Sequence, residues 1–455
     1  MCVMAEGPFS PFFGLDTLWR LRRNQLGYYQ SLQARYGDRV RLRLGPYRNW
    51  LLFHPDEIES VLTTHASSFV RFEPVMRVLE QWNGRSLLVS EGARWRARRR
   101  QVLPAFARSR MTEYGARIVS HTADLSERLK AAAEAGEVSL DTDRTMATLS
   151  LRIALDALFD DQTDHRVSQT GDAIAVLSDV AFRESTALWR RPSWWPFGWN
   201  PRKQQAIATM DRLVSSIVSA RLRVSHDDRG DLLSMLIANG DEENAIRDEA
   251  MTLLIAGHET TGAALAWASD LLSRHPETLA QVLAEIDREL GNRPAVLADI
   301  ARLPLLRAVV DETLRLYPPA YALFPRHATE QVVLDRLTIA AGDLVQLVPF
   351  VTHRDPRWFD GADSFRPARF LGVPAFPPYA YFPFGAGPRV CIGEYFGLLE
   401  LVLALGTLLQ HWTPLPAESR AIPEAKFSLR PKNGLQQRWR LRGQPEGMSR
   451  AVNAH

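Results

Sequence analysis

Apolar positions recur along this chain mostly at the three-and-four spacing of helices. Arg247 to Arg274 reads as one long helix, apolar from Met251 to Ala268. Ile392 to about Leu409 reads as another; it is short and contains Glu400, which suits a core helix better than a membrane span. Helical patterns also cover Gly171 to Leu188 and Arg202 to Val224. Strand-like runs are Val40 to Leu44, Trp50 to Phe53, and Thr338 to Val348 with a turn at Ala341-Gly342-Asp343. From Gly361 to Pro388, proline and glycine break every period and leave a long irregular meander.

Chemistry is concentrated where these patterns are interrupted. Phe384 to Gly393 reads FGAGPRVCIG and places Cys391 in a glycine-rich turn that opens the Ile392 helix. The only other cysteine is Cys2, at the far end of the chain, and one cysteine cannot complete a tetrahedral zinc site. A single thiolate can serve as axial ligand to a haem iron. Gly385 and Gly387 allow a sharp turn close to a flat macrocycle, and Pro388 stiffens it. The positive end of the following helix and its unpaired amides would hold the sulfur as thiolate. Gly393 keeps the next turn thin, and Arg389 is within reach of a haem propionate. The plainer alternative, a buried structural cysteine, does not account for the ten-residue pattern.

The long helix is interrupted by Ala256-Gly257-His258-Glu259-Thr260-Thr261, and such local violations concentrate at functional sites. Thr260 can bond the Ala256 carbonyl four residues back and bend the helix, while Gly257 lets a haem face approach. His258-Glu259 begins like the zinc-protease H-E-x-x-H, but the second histidine position is Gly262, so that site does not form.

The pattern F-x-x-G-x-R-x-C-x-G, with Phe384, Gly387, Arg389, Cys391 and Gly393 in its fixed positions, resembles the haem-ligand loop of the cytochromes P-450, the haem-thiolate monooxygenases. The hexad resembles the family's oxygen-binding groove, A-G-x-D/E-T-T. By that match Thr260 is the alcohol that hydrogen-bonds dioxygen, Glu259 relays protons from solvent, and Ala256 lies over the ring beside the substrate. Glu312 and Arg315, at i and i+3, match the family's E-x-x-R helix. Phe365 to Phe370 matches its F-x-P-x-R-F segment, with Ala368 where glutamate is common, which implies a structural triad of Glu312, Arg315 and Arg369. Trp95 and Arg99 match a W-x-x-x-R helix that contacts one propionate, and Arg326 matches a strand position that serves the other.

The resemblance covers about Tyr36 to Arg440. It implies a single, mainly α domain with a small β-rich region (α+β), haem b as cofactor and dioxygen as co-substrate. Residues 1–35 would be an N-terminal extension and 441–455 a flexible tail. No 20-residue apolar run or secretory signal occurs, because Glu6, Pro8, Pro11 and Asp16 interrupt the N-terminus. Two cysteines suit a reducing interior, and four lysines against a great many arginines fit a bacterial source, so a cytoplasmic monomer is expected. No reductase follows Cys391, so electrons from NAD(P)H would arrive through a separate ferredoxin or flavodoxin.

Net charge is only +3, which argues against nucleic acid as partner. Its distribution is uneven. Arg94, Arg96, Arg98, Arg99, Arg100, Arg108 and Arg110 crowd one helix and its exit, and a basic face near Cys391 would suit an acidic electron donor. The Trp189 to Trp199 segment, with Trp194, Trp195, Phe197 and Trp199, reads either as an apolar lid over a substrate channel or as a packed aromatic cluster. Pocket candidates by position are Leu87, Leu88, Val89, Ala256, Ala320, Ala322 and Leu323, nearly all apolar. The leading expectation is insertion of one oxygen atom from dioxygen into an apolar terpenoid, fatty-acid or polyketide-like molecule. A peroxide-dependent peroxygenase or isomerase, and a non-enzymatic haem sensor, remain as alternatives.

Overall fold

The computed structural model describes residues 7–8, 12–161, 164–186, 200–223, 231–335 and 337–443. Cys2, the tryptophan-rich Trp189–Trp199 segment and residues 444–455 lie outside them. Before that segment come α1 (Leu15–Tyr36), α2 (Pro55–Glu59), α3 (Glu73–Asn83), α4 (Gly92–Val102), α5 (Met111–Ala132), α6 (Thr142–Phe159) and α7 (Asp164–Ser185). After it come α8 (Asn200–Arg223), α9 (Leu232–Ala238), α10 (Glu243–Arg274), α11 (Pro276–Glu289), α12 (Pro304–Leu316), α13 (Pro349–Thr352) and α14 (Glu394–His411). Pro276 and Pro304 open α11 and α12 where a missing N–H leaves no bond unmade.

The long helix foreseen from Arg247 begins a turn earlier, at Glu243, and its middle is buried nearly all round. A helix apolar on every side belongs inside a helical assembly. α10 accordingly packs against α6, α12 and α14. Gly262 permits the crossing with α6, since a Cβ there would lie 2.6 Å from the Ala147 Cα. Farther along, Trp267 stacks on Tyr317 at 3.9 Å and donates from Nε1 to the Leu429 carbonyl at 3.0 Å. α14 is also buried from Leu398 to Leu409, and its side chains join those of α5, α11 and α12 in the largest core.

The β-rich part flanks this helical body. β1 (Arg39–Leu44) and β2 (Tyr47–Leu52) form a hairpin in register Arg39↔Leu52. With β3 (Phe69–Arg71), β4 (Arg326–Ala328) and β5 (Leu344–Leu347) they form a five-stranded sheet ordered β1-β2-β5-β4-β3. The Thr338–Val348 run therefore divides. Its first part, Leu337–Ile339, pairs with Val332–Leu334 in a separate hairpin, and only its second part joins the large sheet. Asp343 makes the corner, accepting from Trp50 Nε1 at 3.0 Å and from Arg48 Nε at 2.7 Å.

Candidate active site

Within the buried middle of α10, Ala256, Gly257 and Thr260 are the half-exposed residues, at i, i+1 and i+4 on one face. A Cβ built on Gly257 would meet nothing within 4 Å, so this face opens onto free space. Thr260 Oγ1 donates to the Ala256 carbonyl at 2.8 Å.

Cys391 lies in the turn before α14, exposed and free of any disulfide. The turn needs its glycines. Gly385 and Gly387 have φ of 71° and 68°, and a Cβ on Gly387 would come within 1.9 Å of the Leu62 carbonyl. The Cys391 N–H donates to the Phe384 carbonyl at 3.0 Å, which closes the loop. α14 starts at Glu394, two residues later than the apolar pattern suggests, because Gly393 serves as its N-cap. The Gly393 N–H thereby donates to the sulfur instead of entering the helix. Although Cys391 faces open space, the protein packed around the turn strips water from the thiol and pushes it above its ordinary pKa, against the pull of that N–H and of the nearby Arg99. The Phe384 ring approaches Gly397 of α14, a neighbour of Thr261 on α10, and Leu323 approaches Gly385.

A basic cluster adjoins the loop. The Arg389 guanidinium lies 3.9 Å from the Trp95 ring centre, donates to the Ser90 carbonyl at 3.0 Å and pairs with Glu91. Arg71 pairs with the same carboxylate at 2.8 Å. Arg99 stacks 5.9 Å from Trp95, and the guanidinium of Arg326, opposite Arg71 in the sheet, makes no hydrogen bond or ion pair among the described residues. Four guanidinium groups thus gather where there is one carboxylate, and two of them, Arg389 and Arg71, pair with it. Burial, then Arg71, lowers Arg389 to about 9 and Arg326 to about 10. Such a surplus of buried positive charge, beside a free thiol and an open helix face, fits a flat group that carries two carboxylates.

Glu259 points away from this opening. It is 1% exposed and accepts from Ser178 Oγ at 2.6 and 2.7 Å and from Ser428 Oγ at 2.7 Å. Arg430, paired with Asp143 at 3.0 Å, feels its charge. Its neighbour His258 is buried, lowered to about 3 by burial and by Arg430, and therefore neutral. Sequence reasoning missed Ser178 and Ser428. They are 81 and 169 residues from Glu259, and lone serines carry no signal. Glu91 and Arg71 were missed for the same reason.

Glu312 accepts from Arg315 at 2.7 and 2.9 Å and from Arg369 Nε at 3.1 Å, so these three residues meet, fully buried at Glu312 and Arg315. Arg98 departs from the expected basic face. It pairs with Asp241 at 2.7 Å and reaches toward Glu249 at 3.6 Å, drawn inward by two buried carboxylates. The same Glu249 accepts the Leu87 N–H at 2.9 Å. Of the pocket candidates, Leu87 is buried in the core of α3, α7 and α10, with Leu88 and Val89 packed against its edge. Ala322 packs with the core beneath α1, and Ala320 is half-buried.

The cytochrome P-450 family model matches residues 5–437. The chain belongs to the cytochrome P-450 family. Cyclooctatin synthase of Streptomyces melanosporofaciens is 35% identical over 428 residues, covering 91% of this chain and 90% of that protein. Cyclooctat-9-en-7-ol 5-monooxygenase from the same organism is 32% identical over 415 residues, covering 88% and 86%. Human cytochrome P-450 4V2 is 28% identical over 442 residues, covering 89% and 82%. As a member of this family, the chain is a haem-thiolate monooxygenase that uses dioxygen and electrons from a redox partner. No helix among the described residues is long and apolar enough to cross a membrane.

Proposed function

We propose that this cytochrome P-450 hydroxylates an apolar terpenoid-like molecule at a haem b held by Cys391. The observation that carries this is the free thiol in a rigid glycine turn beside the opening of α10, with the surplus guanidinium cluster next to it. Arg389, Arg99 with Trp95, and Arg326 would hold the propionates. The two cysteines cannot form a C-x-x-C-H attachment, which supports the non-covalent b form. The substrate class is supported by the two Streptomyces relatives, one of them named for oxidising an alkenol at carbon 5. It is also supported by the apolar character of Val89, Ala256 and Leu323.

When bound, haem supplies the activation of dioxygen and the transfer of one oxygen atom. The chain's own groups hold and deliver protons. Thr260 Oγ1, parked on the Ala256 carbonyl, can turn its hydroxyl into the opening by rotating about χ1. Glu259, steadied by two serine hydroxyls, can pass protons inward from the Arg430–Asp143 side. Electrons would come from an acidic ferredoxin or flavodoxin. Exposed Arg94, Arg96, Arg100 and Arg108 support such docking, and Arg108 stacks 5.7 Å over Tyr395, four residues past Cys391. The turned-in Arg98 does not contribute.

Carbon monoxide added to the reduced protein tests the ligand: the red-shifted Soret band of thiolate ligation should appear, and Cys391→Ser should abolish it. A histidine-type spectrum would overturn the reading. Thr260→Ala should retain the band but lower product per electron pair about tenfold or more while releasing peroxide. A spectral shift of the haem-loaded protein on adding terpenoid alcohols, compared with fatty acids and aromatics, tests the substrate class.

A further inference from the structure

At its N-terminal end the enzyme carries a surface that none of this chemistry uses. α1 is broken at Asn24 (φ −157°, ψ 79°), which leaves a short first segment, Leu15–Arg23, lying along β1. Thr17 and Leu21 of this segment are buried. Leu15, Trp19, Arg22 and Arg23 follow the i, i+4, i+7, i+8 spacing and share the outward face. The preceding turn adds Phe13, fixed by the bond from the Gly45 N–H to its carbonyl at 2.8 Å. Phe13, Leu15 and Trp19 are 67%, 47% and 59% exposed. One such residue would be ordinary on any surface; three together, two of them aromatic, are not.

Charge rims this apolar point. Arg20, Arg22 and Arg23 on α1, and Arg41 and Arg43 on β1, are all exposed. Arg23 lies 5.3 Å over the Trp19 ring and Arg43 lies 4.7 Å over Phe13. Among the described residues of Leu15–Arg23 and β1 the one acid is Asp16, and one of its oxygens is buried. Arg22 Nε donates to the Thr186 carbonyl at 3.2 Å, which ties this surface to the end of α7.

We propose that this surface docks the enzyme on an anionic lipid bilayer. Phe13, Leu15 and Trp19 would enter the boundary between headgroups and acyl chains, and the arginines would meet lipid phosphates. This is the division of labour of peripheral amphipathic segments. A second copy of the chain is a poorer occupant, because a self-paired interface would set arginine against arginine. The docking is independent of the ligand at Cys391, and it would bring the α7 end of the molecule to the phase in which apolar substrates dissolve.

Flotation of the haem-loaded protein with vesicles tests it. The protein should rise with phosphatidylglycerol–phosphatidylcholine vesicles, and less so in high salt. Phe13→Ser with Trp19→Ser should lower the bound fraction about tenfold or more at fixed lipid. Arg22→Gln, Arg23→Gln and Arg43→Gln together should remove the preference over pure phosphatidylcholine. These side chains are exposed, so melting temperature should not move in either variant, and a lost binder remains a folded one. Absence of flotation with anionic vesicles overturns the proposal. So does flotation that both variants leave intact, or a concentration-dependent dimer that Trp19→Ser dissolves in the absence of lipid binding.

Discussion

Around Glu312 two guanidinium groups meet one carboxylate; around Glu91 two also meet it, and two more, those of Arg99 and Arg326, stand nearby without an ion pair among the described residues. At Glu312 the excess charge is absorbed locally. Arg315 donates its remaining N–H groups to the His353, Ala362 and Ser364 carbonyls at 2.7, 2.7 and 3.1 Å, and Arg369 reaches the Asp360 carbonyl at 3.0 Å. The Arg366 backbone N–H adds a further bond to the carboxylate at 2.8 Å. At Glu91 the sharing stops short. Arg389 and Arg71 compete for one carboxylate and one Ser90 carbonyl, at 3.0 and 2.7 Å, while Arg326 has neither. A buried ionic cluster that satisfies itself serves the fold, and one left cationic is prepared for an anion from outside.

The largest effect should come from breaking the satisfied cluster. Glu312→Ala strands the fully buried Arg315 and should cost about 3–5 kcal/mol, read as a fall in the urea midpoint with or without haem. If the change costs no more than a surface pair, the cluster is not structural.

Glu400 sharpens the comparison from the carboxylate side. On α14 it is 1% exposed, and among the described residues neither of its oxygens has a hydrogen-bond partner. Its polar neighbour, the Ser150 hydroxyl, is turned to the Gly257 carbonyl at 3.4 Å. Burial raises its pKa to about 8. The folded carboxyl therefore keeps its proton where the unfolded one has lost it. Its contribution to stability is full below about pH 4.5 and drains as pH climbs to 8. Over that window the wild type should lose on the order of 2–4 kcal/mol that Glu400→Gln does not lose. Parallel stability–pH curves for the two proteins would show that Glu400 ionises freely.

The cationic cluster should answer with the opposite sign. Arg326→Leu removes an unpaired buried charge, so stability without haem should hold or rise. Haem should leave about 10–100-fold faster, because one propionate loses a charge-assisted partner. Transfer of haem to a scavenging globin measures the rate. A variant that is less stable without haem yet retains it normally would reverse the roles of the two clusters.

How far the sequence disclosed this contrast depends on where the partners lie along the chain. Glu312 and Arg315 are one helical turn apart, and Trp95 and Arg99 likewise, so local spacing exposes both pairs. The glycines of the cysteine turn are equally local, and their positive φ explains their presence. Glu91 gives no such sign: it looks like any residue before a helix until the fold brings Arg71 and Arg389 to it from 20 and 298 residues away. Arg98 was grouped with its basic neighbours because composition cannot tell which face of α4 turns toward Asp241. The division of the Thr338–Val348 run was hidden for a related reason, since both halves are apolar and only their partners differ.

The smallest effect should come from the rim of the satisfied cluster. Arg366 supplies Glu312 with its backbone N–H, while its guanidinium pairs with Asp360 at 2.8 Å, where the two side chains are 53% and 94% exposed. Water screens such a pair, and holding two long side chains in one geometry costs most of what the attraction returns. Arg366→Ala keeps the backbone donor, so the triad keeps its fourth bond and only the surface pair is lost. The cost should stay under about 0.5 kcal/mol, a tenth of that for Glu312→Ala a few ångströms away. Measured in the same urea series, a loss of several kcal/mol would mean that the guanidinium itself holds the meander in place, and the boundary drawn here between a self-sufficient core and its solvated rim would have to move outward.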